Sequence, residues 1–262
     1  MKKMIFASAM ALLLITTNAQ TSKIPVGKKL QLLSETKINT TVSMMGQEME
    51  VPATTKTFVE VNVKAATATS VTAVVTTKKI GVNLSMMGQE TSFDSDDKNI
   101  ANNPAAADAL KNLNKPEEVI IENGKLKGSF EIGIRGMMTS GELAKKMFLT
   151  LDAANITEGF KWTEENNTDG SKINTIYTVT KVTATDIEVT ATSNIKIAQT
   201  IQQMGMDMKQ NTSGTISAVS LYDATTAILK ADATKIDMTG TMNVMGNDAP
   251  ISIKIITTST VK

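Results

Sequence analysis

The chain has 262 residues, with no His and no Cys. Their absence excludes a Ser-His-Asp triad, a thiol nucleophile and an ordinary zinc site. A formal net charge of +1 and a single arginine, Arg135, argue against nucleic-acid binding, which uses clusters of basic side chains to release counterions.

The N-terminus has the three parts of a secretory signal peptide. Lys2 and Lys3 precede an apolar run from Met4 to Ile15, and small residues follow at Thr17-Asn18-Ala19. The run is too short for a transmembrane helix. We predict a signal peptide over residues 1–19, cleaved between Ala19 and Gln20, and a periplasmic or secreted mature chain without a transmembrane segment. A buried N-terminal helix is the less favoured alternative.

Apolar and polar residues alternate along several segments, such as Val59–Val63, Ile187–Thr192 and Ile251–Ile255. This period of two predicts antiparallel strands with one buried and one solvated face. Glycine-containing turns separate the segments. They lie at Met44–Glu48, Met86–Glu90, Asp169–Gly170, Met204–Gly205 and Met245–Gly246.

The Met-Gly turns recur at similar spacing. Gly46 and Gly88 are 42 residues apart, and Gly205 and Gly246 are 41 apart. We expect a single β-rich domain over residues 20–262 that contains two related halves, 28–95 and 157–262. A chance match in a chain with 17 Met is the alternative.

The segment 96–151 between the halves carries helix signals. Asn103 and Pro104 can begin a helix over Ala105–Leu113, and Thr139–Glu142 resembles a capping box ahead of Leu143–Met147. A hairpin turning at Asn123–Gly124 lies between them. The pattern predicts a helix-hairpin-helix insertion and an α+β fold, mostly β, with two short helices in the middle of the chain.

Three alternatives for the alternating strands and acidic residues are disfavoured. An outer-membrane barrel needs aromatic girdles, and aromatics make up only 3% of this chain. The acidic run Asp94–Asn99 lacks the spacing of a calcium loop and predicts a solvated turn. Glu164 with Glu165, and Glu117 with Glu118, are adjacent and should point to opposite faces of a strand, so neither pair predicts a catalytic dyad.

Methionines are the candidate ligand contacts. Met204, Met206 and Met208 alternate and would share one strand face, and Met137 and Met138 lie near another turn. Thioethers line adaptable apolar surfaces, and they also bind Cu(I). We expect a hydrophobic ligand, with Met-based Cu(I) binding as the weaker alternative, and otherwise no metal. Trp162 is interpreted as a core anchor.

Several short motifs occur together in order. They are Gly27-Lys28-Lys29-Leu30, the Met-Gly-Gln-Glu turns, Asn123-Gly124-Lys125-Leu126, Gly159-Phe160-Lys161-Trp162, Tyr177-Thr178-Val179 and Leu221-Tyr222-Asp223. This order resembles an uncharacterised family of exported Bacteroidota proteins, domain of unknown function 6263. Where that family often has a glycine after the Asp-containing turn, this chain has Ala227.

The resemblance implies a curved antiparallel sheet, an open or half barrel, with short helices on its concave face. This architecture is similar to that of open-barrel lipoprotein carriers; it implies no activity and no site residues. We therefore expect an exported, non-enzymatic protein without a cofactor, which binds a lipid or another hydrophobic ligand in a groove between sheet and helices. The alternatives are an envelope module that binds a protein or polysaccharide, and an enzyme whose site has no sequence signature.

Overall fold

The computed structural model describes residues 24–44, 46–86, 89–97, 100, 110, 113–127, 139–168, 170–203, 206–244 and 246–262. Most of them lie in strands. The elements are β1 (Lys29–Met44), β2 (Gln47–Ala66), β3 (Ser70–Met86), β4 (Gln89–Asp94), β5 (Pro116–Glu122), β6 (Lys125–Lys127), helix α1 (Ser140–Lys146), a 3-10 turn (Ala153–Asn155), β7 (Lys161–Thr168), β8 (Ser171–Val182), β9 (Asp186–Gln203), β10 (Met206–Asp223), β11 (Leu229–Val244) and β12 (Asn247–Val261).

All twelve strands form one antiparallel sheet. Its order is β6-β5-β3-β2-β1-β12-β11-β10-β9-β8-β7, and β4 pairs with the second half of β3. The pairing of β1 with β12 joins the N-terminal and C-terminal groups of strands. The mostly β, antiparallel fold predicted from the alternation is thereby confirmed. The relationship between the halves 28–95 and 157–262 stays a prediction.

The sheet has two distinct ends. At the tip end, two-residue turns join long strands, and Gly46, Gly170 and Gly246 adopt φ of +78°, +83° and +86° there. Glycine adopts this left-handed conformation without a steric penalty, which is why these turns were visible in the sequence. At the opposite end, called the base, the chain turns at residues 67–69, 123–124, 183–185 and 224–227.

The base encloses the main hydrophobic core. Val59, Val61 and Val63 of β2 are at most 1% exposed, because alternate residues of the strand point inward. Inward residues of β1, β3, β5, β8, β9, β10 and β11 complete this cluster, together with α1 and the segment that follows it. The alternation therefore places the same face of every strand inside the curved sheet.

Helix α1 packs inside the base against β3, β5 and β6. Thr139 caps it, since its Oγ1 accepts a hydrogen bond from the Glu142 N–H at 3.2 Å, so the predicted capping interaction is confirmed. Leu143 and Ala144 are buried in the core. After α1, Leu149 donates its N–H to the Ala227 carbonyl. This hydrogen bond connects the segment after the helix to the residues just before β11.

The predicted helix-hairpin-helix segment is confirmed in part. The hairpin at Asn123–Gly124 is confirmed as β5–β6, with both turn residues at positive φ. The predicted helix over Ala105–Leu113 lies outside the described residues, apart from Leu110 and Leu113.

The sheet curls further than the open or half barrel expected from the resemblance and is nearly closed. At the base, the β5–β6 turn reaches the opposite edge strand β7: a Cβ built on Gly124 would lie 3.8 Å from Trp162 Nε1. Helix α1 contacts β5 and β6 on one side and ion-pairs with β7 on the other. Helix α1 therefore contacts strands at both edges of the sheet. The two-residue period of the strands does not indicate this contact.

Two inward-facing glycines lie where the backbones of the paired strands β10 and β11 leave no room for a Cβ atom. A Cβ on Gly214 would overlap the Asp237 carbonyl oxygen, and a Cβ on Gly240 would overlap the Asn211 carbonyl oxygen. The colliding atoms belong to the backbone of the partner strand, so they cannot rotate away. Glycine at these positions permits a close backbone approach within a strand.

We predict that Gly214→Ala destabilises the fold by about 1–3 kcal/mol, because the β10–β11 ladder must shift to admit the methyl group. The measurement is the free energy of unfolding in urea. Gly81→Ala is the matched control in β3, since its Cβ would meet only the Phe93 carbonyl at 4.0 Å. Equal stability of the two variants would contradict the predicted close approach.

Candidate binding site on the inner face of the sheet

Two layers of the inner face lie above the base core, and the buried residues Gln210 and Thr212 and an apolar cluster of Val42, Ala249 and Ile251 also lie toward the tip end. The first, called the polar layer, contains inward-facing hydroxyl, amide and charged groups. Its members are Ser34, Thr36, Thr55, Glu164, Thr175, Ser193, Ser220, Asp232, Thr234, Thr257 and Ser259. The second, called the isoleucine band, lies toward the tip end. Its members are Ile173, Ile195, Ile197, Ile216, Ile236, Met238 and Ile253.

Hydrogen bonds between neighbouring strands hold much of the polar layer. Thr36 bonds Thr257 at 3.0 Å, and Ser34 bonds Ser259 at 3.1 Å, across the β1–β12 pair. Ser193 donates to Thr175 at 2.7 Å across β8–β9. These short side chains satisfy one another, so the cost of burying their hydroxyl groups is offset inside the sheet.

Lys145 of α1 makes a buried ion pair with Glu164 of β7. The Nζ–Oε1 distance is 2.6 Å, and the side chains are 12% and 5% exposed. Asn166 also donates to Oε1, and the Tyr177 hydroxyl donates to Oε2 at 3.1 Å. Burial and then the Glu164 charge raise the pKa of Tyr177, so its hydroxyl remains a donor over the physiological range.

Lys146 makes the second buried pair, with Asp232 of β11. The Nζ–Oδ1 distance is 3.0 Å, and the Asp232 side chain is fully buried. Lys146 and Asp232 both bond the Thr234 hydroxyl, and Ser220 donates to the other carboxylate oxygen of Asp232. Each Asp232 oxygen thus has a partner, as a buried carboxylate requires.

Glu142 of α1 lies near these two ion pairs, and its carboxyl group is incompletely hydrogen-bonded. Its Oε1 is buried and has no hydrogen-bond partner among the residues that the structure describes. Burial raises the pKa of Glu142, and the Glu164 charge adds to that effect, while Lys145 and Lys146 oppose it. Glu142 and Lys145 are three residues apart on α1, so their side chains lie on the same side of the helix.

The isoleucine band is a continuous apolar surface across five adjacent strands, β8 to β12. Ile195, Ile197 and Met238 are buried, whereas Ile173, Ile216, Ile236 and Ile253 are only partly buried. On the side of the band that faces the base, Glu164, Thr175, Ser193 and Ile216 are successive cross-strand neighbours. The isoleucine band therefore begins beside hydroxyl groups of the polar layer, in the same cross-strand row as Glu164.

The predicted methionine contacts are placed only in part. Met208 lies in β10 at an inward register, in line with Thr212 and Ile216. Met204, Met137 and Met138 lie outside the described residues, and of Met206 the structure describes only the backbone. Whether these methionines contact a ligand or copper stays a prediction.

The remaining sequence expectations concern side chains now placed in strands. Glu164 points inward and Glu165 is exposed, as predicted for adjacent strand residues. Trp162 packs against the base core and stacks on Tyr177 with ring centroids 4.9 Å apart, in agreement with its interpretation as an anchor. In the Asp94 turn, Asp94 accepts from the Asp96 N–H at 2.9 Å, an arrangement typical of a solvated turn.

The charged cluster of Glu142, Lys145, Lys146, Glu164 and Asp232 was missed by sequence reasoning. Its one sequence signal is the position of Glu164 and Asp232 in alternating strands, where each occupies an inward register and not an outward one. The strand pattern alone did not fix that register, because polar residues also occupy many inward positions of this chain.

Comparison with known proteins gives a family match and likenesses of fold. The model of a family described as a family of unknown function (DUF6263) matches residues 140–229. The matched segment begins at α1 and ends where β11 starts, so it includes the motifs around Trp162, Tyr177 and Tyr222. No curated protein matches the chain in sequence.

Among solved structures, a structure on lipid–protein interactions in lipovitellin has a TM-score of 0.53 and 9% identity over 91% of this chain. That match covers 25% of the lipovitellin chain, so this chain spans about a quarter of its length. An outer membrane channel from Pseudomonas putida F1 has a TM-score of 0.27 and 9% identity, covering 91% and 97% of the two chains. At these identities the lipovitellin likeness concerns the fold alone, and the channel likeness is too weak to carry an argument.

Two further findings concern the described part of the chain. It contains no helix long and apolar enough to cross a membrane. It also contains no group of three or more acidic residues placed to hold a metal ion.

We predict that Lys146→Met destabilises the fold by about 3–5 kcal/mol, because it leaves the Asp232 carboxylate buried and unpaired. Asp232→Asn added to Lys146→Met should recover much of that loss, since the unpaired charge is then removed. The measurement is a double-mutant cycle of unfolding free energies.

Lys235→Met is the control for this cycle, because the Lys235–Asp237 pair is 60% and 40% exposed and should matter little. Additive effects of Lys146→Met and Asp232→Asn would show that the two groups do not depend on each other.

We predict that the free energy of unfolding contains a component that is lost as pH rises through the folded pKa of Glu142. Because this pKa is raised in the fold, the protonated form is favoured, and the contribution is fully present only below the unfolded value. Glu142→Gln should remove that component and make the protein more stable than wild type at neutral pH.

Urea unfolding of both proteins between acidic and neutral pH measures this difference, with the exposed Glu165→Gln as the control. Parallel stability curves for Glu142→Gln and wild type would contradict the assignment.

Proposed function

We propose that this is an exported, non-enzymatic protein that binds a lipid or another hydrophobic ligand against the isoleucine band. The observation that carries the proposal is the band itself: seven apolar side chains on five neighbouring strands face inward, above a layer of polar groups. Apolar binding surfaces bordered by a few polar groups are typical of small-ligand sites.

The layer order supports a binding role over a purely structural one. The base core and α1 already supply a hydrophobic cluster from both groups of strands, closed off by hydrogen-bonded polar groups. The isoleucine band lies beyond that layer, and four of its members are only partly buried. Apolar area that still contacts solvent favours association with an apolar partner, because burial removes that area from water.

The fold likeness is compatible with this role. The chain shares its sheet architecture with part of lipovitellin, whose structure concerns lipid–protein interactions. Fold alone does not establish function, and the support for the proposed role comes from the inner face of this chain. The buried Lys–carboxylate pairs are treated as structural, since each carboxylate already accepts hydrogen bonds from two or more neighbours.

We predict that Ile216→Thr weakens binding of a fluorescent acyl-chain probe by about tenfold, because the smaller side chain loses apolar contact and brings a hydroxyl group to the band. Fluorescence titration measures the dissociation constant, and urea unfolding checks the fold.

Val219→Thr is the matched control on the same strand. Val219 points outward and is 47% exposed, so probe affinity should remain that of wild type. Equal losses in Ile216→Thr and Val219→Thr, or no saturable probe binding by wild type, would count against the isoleucine band as the site.

A further inference from the structure

The buried ion pair of Lys145 and Glu164 has a carboxamide group beside it. Lys145 Nζ lies 2.6 Å from Glu164 Oε1, and Asn166 Nδ2 lies 3.4 Å from the same oxygen atom. An amine, a carboxamide and a carboxyl group are the groups that can form an amide bond between two side chains. The amine attacks the carboxamide carbon, and the carboxyl group moves protons between the two nitrogen atoms.

The strand period places Asn166 beside Glu164 on the inner face of β7. The two residues are two positions apart in the strand, so their side chains share one face. On the base side of this pair, Trp162 stacks on Tyr177, whose hydroxyl donates to Glu164 Oε2. On the tip side, Ile173 is the cross-strand neighbour of Asn166. Aromatic rings and an isoleucine therefore flank the three groups and limit the access of water.

Burial also favours the reactive form of the amine. An ammonium group has no lone pair for attack, so a proton must first leave Lys145. Glu164 Oε1 is within hydrogen-bond distance to accept that proton, and both side chains of the pair are largely shielded from solvent. Two neutral groups are less costly to bury than two charges, so burial favours a neutral amine beside a carboxylic acid.

We propose that Lys145 and Asn166 form an intramolecular isopeptide bond, with Glu164 as the group that transfers protons. Lys145 Nζ attacks Asn166 Cγ, and the new C–N bond forms as the Cγ–Nδ2 bond breaks. Glu164 accepts a proton from Nζ and delivers a proton to Nδ2, which leaves as ammonia. The second proton that Nζ loses leaves with ammonia as ammonium, so Glu164 ends as a carboxylate. The balance needs no oxidant, reductant or cofactor.

The bond joins helix α1 to the edge strand β7. Helix α1 also packs against β5 and β6, at the other edge of the sheet. The cross-link therefore lies where the two edges approach each other, and β7 cannot separate from the helix without cleavage of a covalent bond. This role is independent of any ligand on the isoleucine band.

The second buried ion pair provides an internal comparison. Asp232 is bonded by Lys146 and by the hydroxyl groups of Ser220 and Thr234. Among the residues that the structure describes, no carboxamide is bonded to this carboxylate. Lys146 therefore has a carboxylate partner without an acyl group to attack, and it should remain unmodified.

Peptide mass spectrometry of the folded, purified full chain tests the bond. Trypsin cleaves after lysine and arginine, but not after an acylated lysine. The cross-linked chain should therefore yield a branched peptide in which residues 136–146 are joined to residues 162–172. We expect this peptide to be lighter than its two separate parts by one molecule of ammonia, about 17 Da. Fragment ions should place the branch at Lys145 and Asn166.

Four variants assign the roles of the three groups. Lys145→Arg lacks the nucleophile, Asn166→Ala lacks the acyl group, and Glu164→Gln cannot carry protons between them. Each should lose the branched peptide, and near-UV circular dichroism checks that the variant is folded. Asn167→Ala is the matched control, because Asn167 is the exposed neighbour on β7 and its variant should retain the cross-link in full.

The outcomes decide the proposal. A branch at Asn166 in wild type that is absent from Glu164→Gln supports it. Separate, unmodified peptides from wild type, after prolonged incubation of the folded chain, would overturn it even if every variant failed to fold. A branched peptide lighter by one water molecule would join Lys145 to Glu164 and overturn the assignment of Asn166. Full cross-linking at Asn166 in folded Glu164→Gln would overturn the role of Glu164.

Discussion

Two buried ion pairs fix helix α1 across the interior of the sheet. Lys145 and Lys146 are consecutive, so their side chains leave the helix in different directions and reach β7 and β11, which are separated by β8, β9 and β10. The two pairs therefore hold opposite parts of the wall at a set distance from one short helix. A seven-residue helix has little intrinsic stability, and these contacts, with the Leu143 and Ala144 packing beneath, supply what its length does not.

The strands and tight turns were predictable because their causes are local. Alternation in Val59–Val63 and Ile251–Ile255 reflects the two-residue period of a strand, and the glycines at positions 46, 170 and 246 reflect the positive φ of the turns. The Thr139 cap likewise depends on residues within one helical turn. Each of these features follows from neighbours in sequence, so a single sequence contains the information.

The curvature of the sheet and the polar cluster depend on residues far apart in sequence. Lys146 and Asp232 are 86 positions apart, and no short motif signals their approach. Ala227 illustrates a related limit: it adopts φ +55° after the Asp223 turn, in a region that favours glycine. Asp223 accepts hydrogen bonds from the N–H groups of Thr225 and Thr226, and the bonded turn holds alanine in a conformation that glycine adopts more easily.

The polar layer separates two apolar parts of the interior. Below it, the base core joins α1 to both groups of strands and is buried. Above it, the isoleucine band gathers side chains from strands that the sheet ladder already holds in place. Because buried polar groups are costly unless paired, the paired hydroxyl groups and ion pairs stabilise this boundary. The packing of the base core therefore does not depend on whether the isoleucine band is covered.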